Sequence, residues 1–163
     1  MPALFDEWLK LAEHIGAVCV AEKRVITGAE SCTGGLVAAV LTSVSGSSAW
    51  VDRGFVTYSN EAKREMLGVA LATLDEFGAV SEATAREMAA GALKNSRATT
   101  AFSVTGVAGP SGGTLTKPVG MVCFGFATDR EITSVTKHFL GDRSAVREQS
   151  VNFVLATLAR ARI

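Results

Sequence analysis

The chain has 163 residues, of which 48% are hydrophobic and 20% charged; these values fit one globular domain and exclude the disordered and fibrous classes. Sixteen Lys+Arg balance sixteen Asp+Glu, so no surplus positive charge exists to neutralise a nucleic-acid backbone, and no nucleic-acid partner is expected. The longest apolar runs, such as VGMVCFGFA (119–127), are about half of the roughly 20 residues that a membrane-spanning helix requires, so no membrane span is expected either.

The N-terminal MPALFDEWLK carries Asp6 and Glu7 and lacks the basic segment and apolar stretch of a secretion signal, which points to the cytoplasm. Leu4, Trp8, Leu11, Ile15 and Val18 recur at the spacing of one helical face and predict a helix over about 3–22. Val25 and Ile26 form a short apolar run, and helical spacing resumes at Leu36, Val37, Val40 and Leu41, so TGAESCTGG (27–35) lies at a strand-to-helix turn. Trp50, Val51, Phe55, Val56 and Tyr58 read as a strand. SNEAKREMLG after it reads as a helix closed by Gly68.

Ser81 can cap the next helix, with Glu82 in its first turn and Ala85, Met88, Ala89, Ala92 and Leu93 facing inward. TTAFSVTG (99–106) reads as a buried strand and runs into VAGPSGGTLTKPVG, a loop rich in glycine with two prolines. Strands over about 119–128 and 131–139 flank Asp129-Arg130 as a hairpin, and a last helix starts near Asp142 with Val146, Phe153, Val154 and Leu158 inward. This order predicts a single domain over 1–163, a three-layer α/β/α sandwich around a mixed β-sheet. The sheet must be mixed because a two-residue turn joins only antiparallel strands.

Nucleotide-binding, zinc-protease and G-x-S-x-G signatures are absent. With only His14 and His138 in the chain, a Ser-His-Asp triad is poorly supported. Cys19, Cys32 and Cys123 have no C-x-x-C spacing and read as free thiols, and no ligand cluster calls for a metal or cofactor. Ser31 sits at a helix N-terminus with Cys32, Thr33, Gly34 and Gly35. There it is either a nucleophile beside backbone N–H groups able to hold an oxyanion or phosphate, or a helix cap in a tight turn. Cys32 is the rival nucleophile. Lys63 is either a base for a serine hydroxyl, if shielded from water, or an ordinary solvated lysine, and Tyr58 at the strand end is equally open. Thr105-Gly106 leads into AGPSGGT (108–114), whose glycines let backbone N–H groups approach an anion, with Lys117 to add charge; the other reading is a flexible surface loop.

Taken together, AESCTGG (29–35), VTYSNEAKREMLGV (56–69), GAVSEATAREMAAGA (78–92), VTGVAGPSGGT (104–114) and KPVG (117–120) closely resemble the CinA C-terminal domain family, whose members are also called nicotinamide-nucleotide amidohydrolases or NMN deamidases. The likeness runs nearly the whole chain. It implies a three-layer α/β/α fold, no cofactor, and hydrolysis of the carboxamide of nicotinamide mononucleotide to nicotinic acid mononucleotide and ammonia, a step of pyridine-nucleotide recycling. It also raises the expectation of a homo-oligomer, and of the stand-alone form rather than the two-domain form that carries a molybdopterin-binding-like domain. By position it makes Ser31 the nucleophile and brings in Tyr58 and Lys63, with Glu30, Cys32, Thr33, Gly34, Gly35, Thr105, Gly106, Gly109, Gly112, Gly113 and Lys117 around the substrate. The competing expectations are a non-catalytic nucleotide-binding module of the same fold, or an amidohydrolase for another small amide.

Overall fold

A computed structural model describes residues 2–160. Five strands, β1 (Ile26–Glu30), β2 (Val51–Val56), β3 (Thr100–Gly106), β4 (Met121–Thr128) and β5 (Ile132–His138), form one sheet in the order β2-β1-β3-β4-β5. β1 runs parallel to β2 and β3, whereas β4 is antiparallel to β3 and β5, which gives the mixed sheet expected from the short turn at 129–130. Every residue of β1 is buried, as a strand covered on both faces requires.

On one face lie α1 (Pro2–Glu22), α2 (Leu36–Thr42) and α6 (Arg143–Leu158). Their large side chains, including Trp8, Ile15, Leu41, Val154 and Leu158, pack on Phe102, Val104 and Phe124 of the sheet. On the other face α3 (Asn60–Leu67), α4 (Leu71–Phe77) and α5 (Glu82–Lys94) cover a smaller cluster built from Ala29, Leu67, Leu74, Met88, Ala89 and Ala101. Alternate residues of β3 supply the two clusters, Phe102 and Val104 to the first and Ala101 to the second, in keeping with the two-residue period of a strand.

Small residues on the second face let its helices approach closely. Gly91 of α5 lies directly under α3: a Cβ there would stand 1.9 Å from the Leu67 carbonyl oxygen. Ser103 of β3 donates to the Ala85 carbonyl at 2.6 Å, fastening α5 to the sheet. α3 is capped as its sequence predicts, with Ser59 accepting from the Ala62 N–H at 3.0 Å and Gly68 in the left-handed region at φ 71.

The sequence reading omitted α4. This seven-residue helix has no side-chain cap of its own at Ala70. Glu87 of α5 takes that role instead, accepting from the Ala70 N–H at 2.8 Å and from the Thr73 hydroxyl, an arrangement that no local pattern announces.

Candidate active site

The three parallel strands end at the same edge of the sheet, so Ser31 after β1, Thr57 and Tyr58 after β2, and Thr105-Gly106 closing β3 come together there. In open α/β sheets ligands bind outside the carboxyl ends of the strands.

The turn after β1 is held from two directions. The Ser31 N–H donates to the Val104 carbonyl of β3 at 2.9 Å, and Gly34 and Gly35 take left-handed backbone at φ 61 and φ 96 to bring the chain around into α2. Glu30, 2% exposed, folds its carboxylate back into that turn. One oxygen accepts from the Thr33 hydroxyl at 2.6 Å and from the Gly35 and Val37 N–H groups, both at 3.1 Å; the other accepts from the Ala38 N–H at 2.8 Å. The N-terminus of α2, which the sequence reading offered to an oxyanion or phosphate, is therefore already filled by an internal anion. The Gly34 N–H is also used, donating to the Ser31 carbonyl at 3.0 Å. The Thr33 N–H is left in this turn without an acceptor among the described residues, and the Cys32 N–H meets its own sulfur.

Lys63 reaches the same place from α3. Its Nζ lies 3.1 Å from Ser31 Oγ and donates to the Thr57 carbonyl at 2.9 Å, with the Tyr58 carbonyl at 3.5 Å. It is 1% exposed, yet no carboxylate lies within salt-bridge distance among the described residues. Burial without a counter-ion lowers its pKa from the ordinary 10.5, because the charged form loses hydration that its neutral oxygen neighbours only partly replace, with the nearby Cys32 thiol acting weakly the other way. Burial acts in the opposite sense on Cys32: its thiol, packed in the larger core cluster, is pushed up to about 12. A helix-terminal cysteine can be an activated nucleophile, but this one is held as the thiol.

Above this pair lies a cavity of about 210 Å³ lined by Ser31, Cys32, Tyr58, Asn60, Lys63, Ala79, Val80, Thr105, Gly106, Ala108 and Arg143. Thr105 donates to the Ala79 carbonyl at 2.8 Å and so fixes the 78–81 loop that forms one wall. Of the residues named from sequence, Ser31, Cys32, Tyr58, Lys63, Thr105 and Gly106 meet at the cavity. Glu30, Thr33, Gly34 and Gly35 support it from behind instead of lining it. Gly112 and Gly113 lie in the exposed loop, and the Lys117 amine is engaged by the Phe77 carbonyl at the end of α4. Gly109 is buried, and its carbonyl accepts from Arg143 at 2.9 Å.

Arg143 and Asn60 were not foreseen. A signal for Arg143 does exist in the sequence: it is a cation at the first position of a helix, where the dipole disfavours positive charge. Its second nitrogen donates to the Tyr58 hydroxyl at 3.0 Å, and one turn later Arg147 donates to the Thr33 carbonyl at 3.3 Å, so α6 braces both sides of the site.

Residues 9–161 match the CinA C-terminal domain. The chain belongs to that family. It is 54% identical to the nicotinamide-nucleotide amidohydrolase PncC of Escherichia coli strain K12 over 94% of this chain and 93% of that protein. Among solved structures of the family, the competence/damage inducible protein CihA from Agrobacterium tumefaciens superposes with a TM-score of 0.89 at 46% identity, covering 93% of each chain. The competence damage-inducible protein A of Klebsiella pneumoniae gives 0.90 at 38% identity, covering 93% of this chain and 94% of that one. A CinA C-terminal domain with this α/β architecture is thus established from sequence and from backbone alike.

Proposed function

We propose that the chain hydrolyses the carboxamide of nicotinamide mononucleotide, giving nicotinic acid mononucleotide and ammonia, with Ser31 as nucleophile and Lys63 as its base. The activity is supported by the name of the Escherichia coli relative, at 54% identity over nearly the full length of both chains. The assignment of residues is supported by one observation above the others: a buried amine without a counter-ion stands 3.1 Å from the serine hydroxyl, at the floor of a cavity.

The steps follow from that geometry. Neutral Lys63 takes the proton of Ser31 as Oγ bonds to the carboxamide carbon, and the resulting oxyanion lies beside the turn at Cys32, which lines the cavity and can offer it a backbone N–H. The protonated amine then gives its proton to the amide nitrogen, the C–N bond breaks, and ammonia leaves an acyl-serine. Water adds to the acyl carbon as Lys63 takes one of its protons and returns it to Ser31 Oγ; the Ser31–carbon bond breaks, and the pyridine acid departs as its carboxylate, its proton going to solvent. Tyr58 and Thr105 border the carboxamide, and Thr105 does so while holding the Ala79 wall.

We place the reaction in the cytoplasm; in support, no helix among the described residues is long and apolar enough to cross a membrane. A homo-oligomer is supported by the fully exposed Leu115 and the exposed Leu140, apolar side chains that a second copy could cover. The test of the chemistry is ammonia release from nicotinamide mononucleotide by wild type and by Ser31→Ala. The variant is expected to keep its fold and lose at least about 10³-fold in kcat. Wild-type turnover by a folded Ser31→Ala protein would refute the covalent scheme.

A further inference from the structure

The cavity over Ser31 is open on the side of α6. Next to it lies a larger hollow of about 450 Å³, bounded by Ala108, Pro110, Val119 and the segment 141–144, and the two share Ala108 and Arg143. The first hollow alone is smaller than the roughly 300–1,000 Å³ of sites that enclose ligands of this size. A nucleotide whose carboxamide reaches Ser31 is too large for the first hollow and can extend past Arg143 into the second.

Arg143 is built to receive an anion there. Two of its five N–H donors are committed, to the Gly109 carbonyl at 2.9 Å and the Tyr58 hydroxyl at 3.0 Å; both acceptors are neutral and hold the guanidinium in place. Its charge has no carboxylate partner among the described residues. Asp142, its neighbour, turns one carboxylate oxygen to the Ala145 N–H at 3.0 Å as the cap of α6. The other cations near the site, Lys63 at Ser31, Arg147 at the Thr33 carbonyl and Lys117 at the Phe77 carbonyl, also rest on neutral acceptors, but of the four only Arg143 borders both hollows. The helix terminus that could have competed for the anion is filled by Glu30.

We infer that Arg143 recognises the phosphate of the substrate, so that the pyridine ring lies over Ser31 and the phosphomonoester in the hollow beside α6. This rests on the reading that the substrate is a pyridine nucleotide. Arg143 is then the residue that separates nucleotide from nucleoside, since a charge-assisted fork on a phosphate gains nothing from a hydroxyl.

The experiment compares nicotinamide mononucleotide with nicotinamide riboside, which lacks the phosphate, by calorimetric binding to Ser31→Ala protein carrying Arg143, Arg143→Lys or Arg143→Met. The methionine variant is expected to weaken nucleotide binding by roughly 10- to 100-fold more than riboside binding. The lysine variant, which keeps the charge but not the fork, should fall between, and it serves as the test if the methionine variant does not fold. Inorganic phosphate should compete with the nucleotide on Arg143 protein and not on the methionine variant. Equal losses for nucleotide and riboside, or phosphate competition that survives the substitution, would overturn the inference. Absence of ammonia release by wild type would instead strike the amidohydrolase reading, and the binding comparison would still report on Arg143.

Discussion

Replacing Lys63 by methionine removes one amine from the site while keeping an unbranched side chain of similar length, so its effects isolate what the amine does. A general base contributes about 10²–10⁴-fold, and a base and nucleophile that act as a unit are lost together. Lys63→Met should therefore lower kcat/KM by at least about 10³-fold. Rate alone does not separate a base from a prop, and the pH dependence of stability does.

Protonated Lys63 is a buried charge with no acid beside it, and its pKa in the folded chain lies below the 10.5 of the exposed side chain. Between those two values the unfolded chain binds the proton more readily than the folded one. Stability therefore rises with pH through that window, by up to about 1.4 kcal/mol per pH unit for a single proton. Below the window the cost of burying the charge is constant, and above 10.5 it vanishes. The same deprotonation creates the base, so kcat/KM should rise with pH across the lower edge of the window. Urea unfolding and ammonia release, each followed from about pH 6 to pH 10, give both curves. Lys63→Met should lack the window, so the difference between wild-type and variant stability changes with pH while contributions from other groups cancel. Parallel stability curves for the two proteins would mean that Lys63 is not the titrating base.

Two further outcomes test the neighbours of Ser31. Cys32→Ser should retain turnover within about tenfold, and Cys32 in the native wild type should resist alkylation at neutral pH, because burial holds its thiol up at about 12. Glu30→Gln replaces an all-acceptor group facing three N–H groups and a hydroxyl with one that carries two donors of its own. It should cost at least about 2–4 kcal/mol in urea unfolding and lower kcat more than it raises KM, since Glu30 shapes the turn without touching the cavity.

Elements that carry their own signals were legible in the sequence. α5 shows its apolar face and its Ser81 cap, α3 is bracketed by Ser59 and Gly68, and Asp142 caps α6 by accepting from the Ala145 N–H. α4 was not legible because its cap is Glu87, supplied from α5 by the tertiary fold. The site divides the same way. Lys63 and Leu67, four residues apart and both buried, lie on one stripe of α3, so a lysine stands where the helical period calls for an apolar residue. That is a sequence signal, although residue chemistry alone leaves Lys63 as either base or surface lysine and only the family likeness favours the site; the structure shows it buried. Nothing local reveals that Glu30 turns back on α2, because the turn exists only once Gly34 and Gly35 adopt positive φ.

The contacts of the Lys63 amine also bear on which protonation state the fold is built to hold. An ammonium brings three N–H donors, whereas a neutral amine brings two and a lone pair. Two of its three oxygen neighbours, the carbonyls of Thr57 and Tyr58, can only accept; the third, Ser31 Oγ, is a hydroxyl that can donate. The three oxygens match the three donors of the ammonium, Ser31 Oγ accepting one; once the amine is neutral, the two carbonyls can keep its two N–H groups while its lone pair faces the Ser31 hydroxyl proton. In histidine-based sites a carboxylate orients the base and compensates the charge it acquires. Here backbone carbonyls orient it, and burial with no carboxylate nearby favours its neutral form. The exposed β2–α3 junction at Tyr58 and the close α3–α5 contact at Gly91 are thus parts of one device, since together they fix where α3 brings its lysine against the sheet.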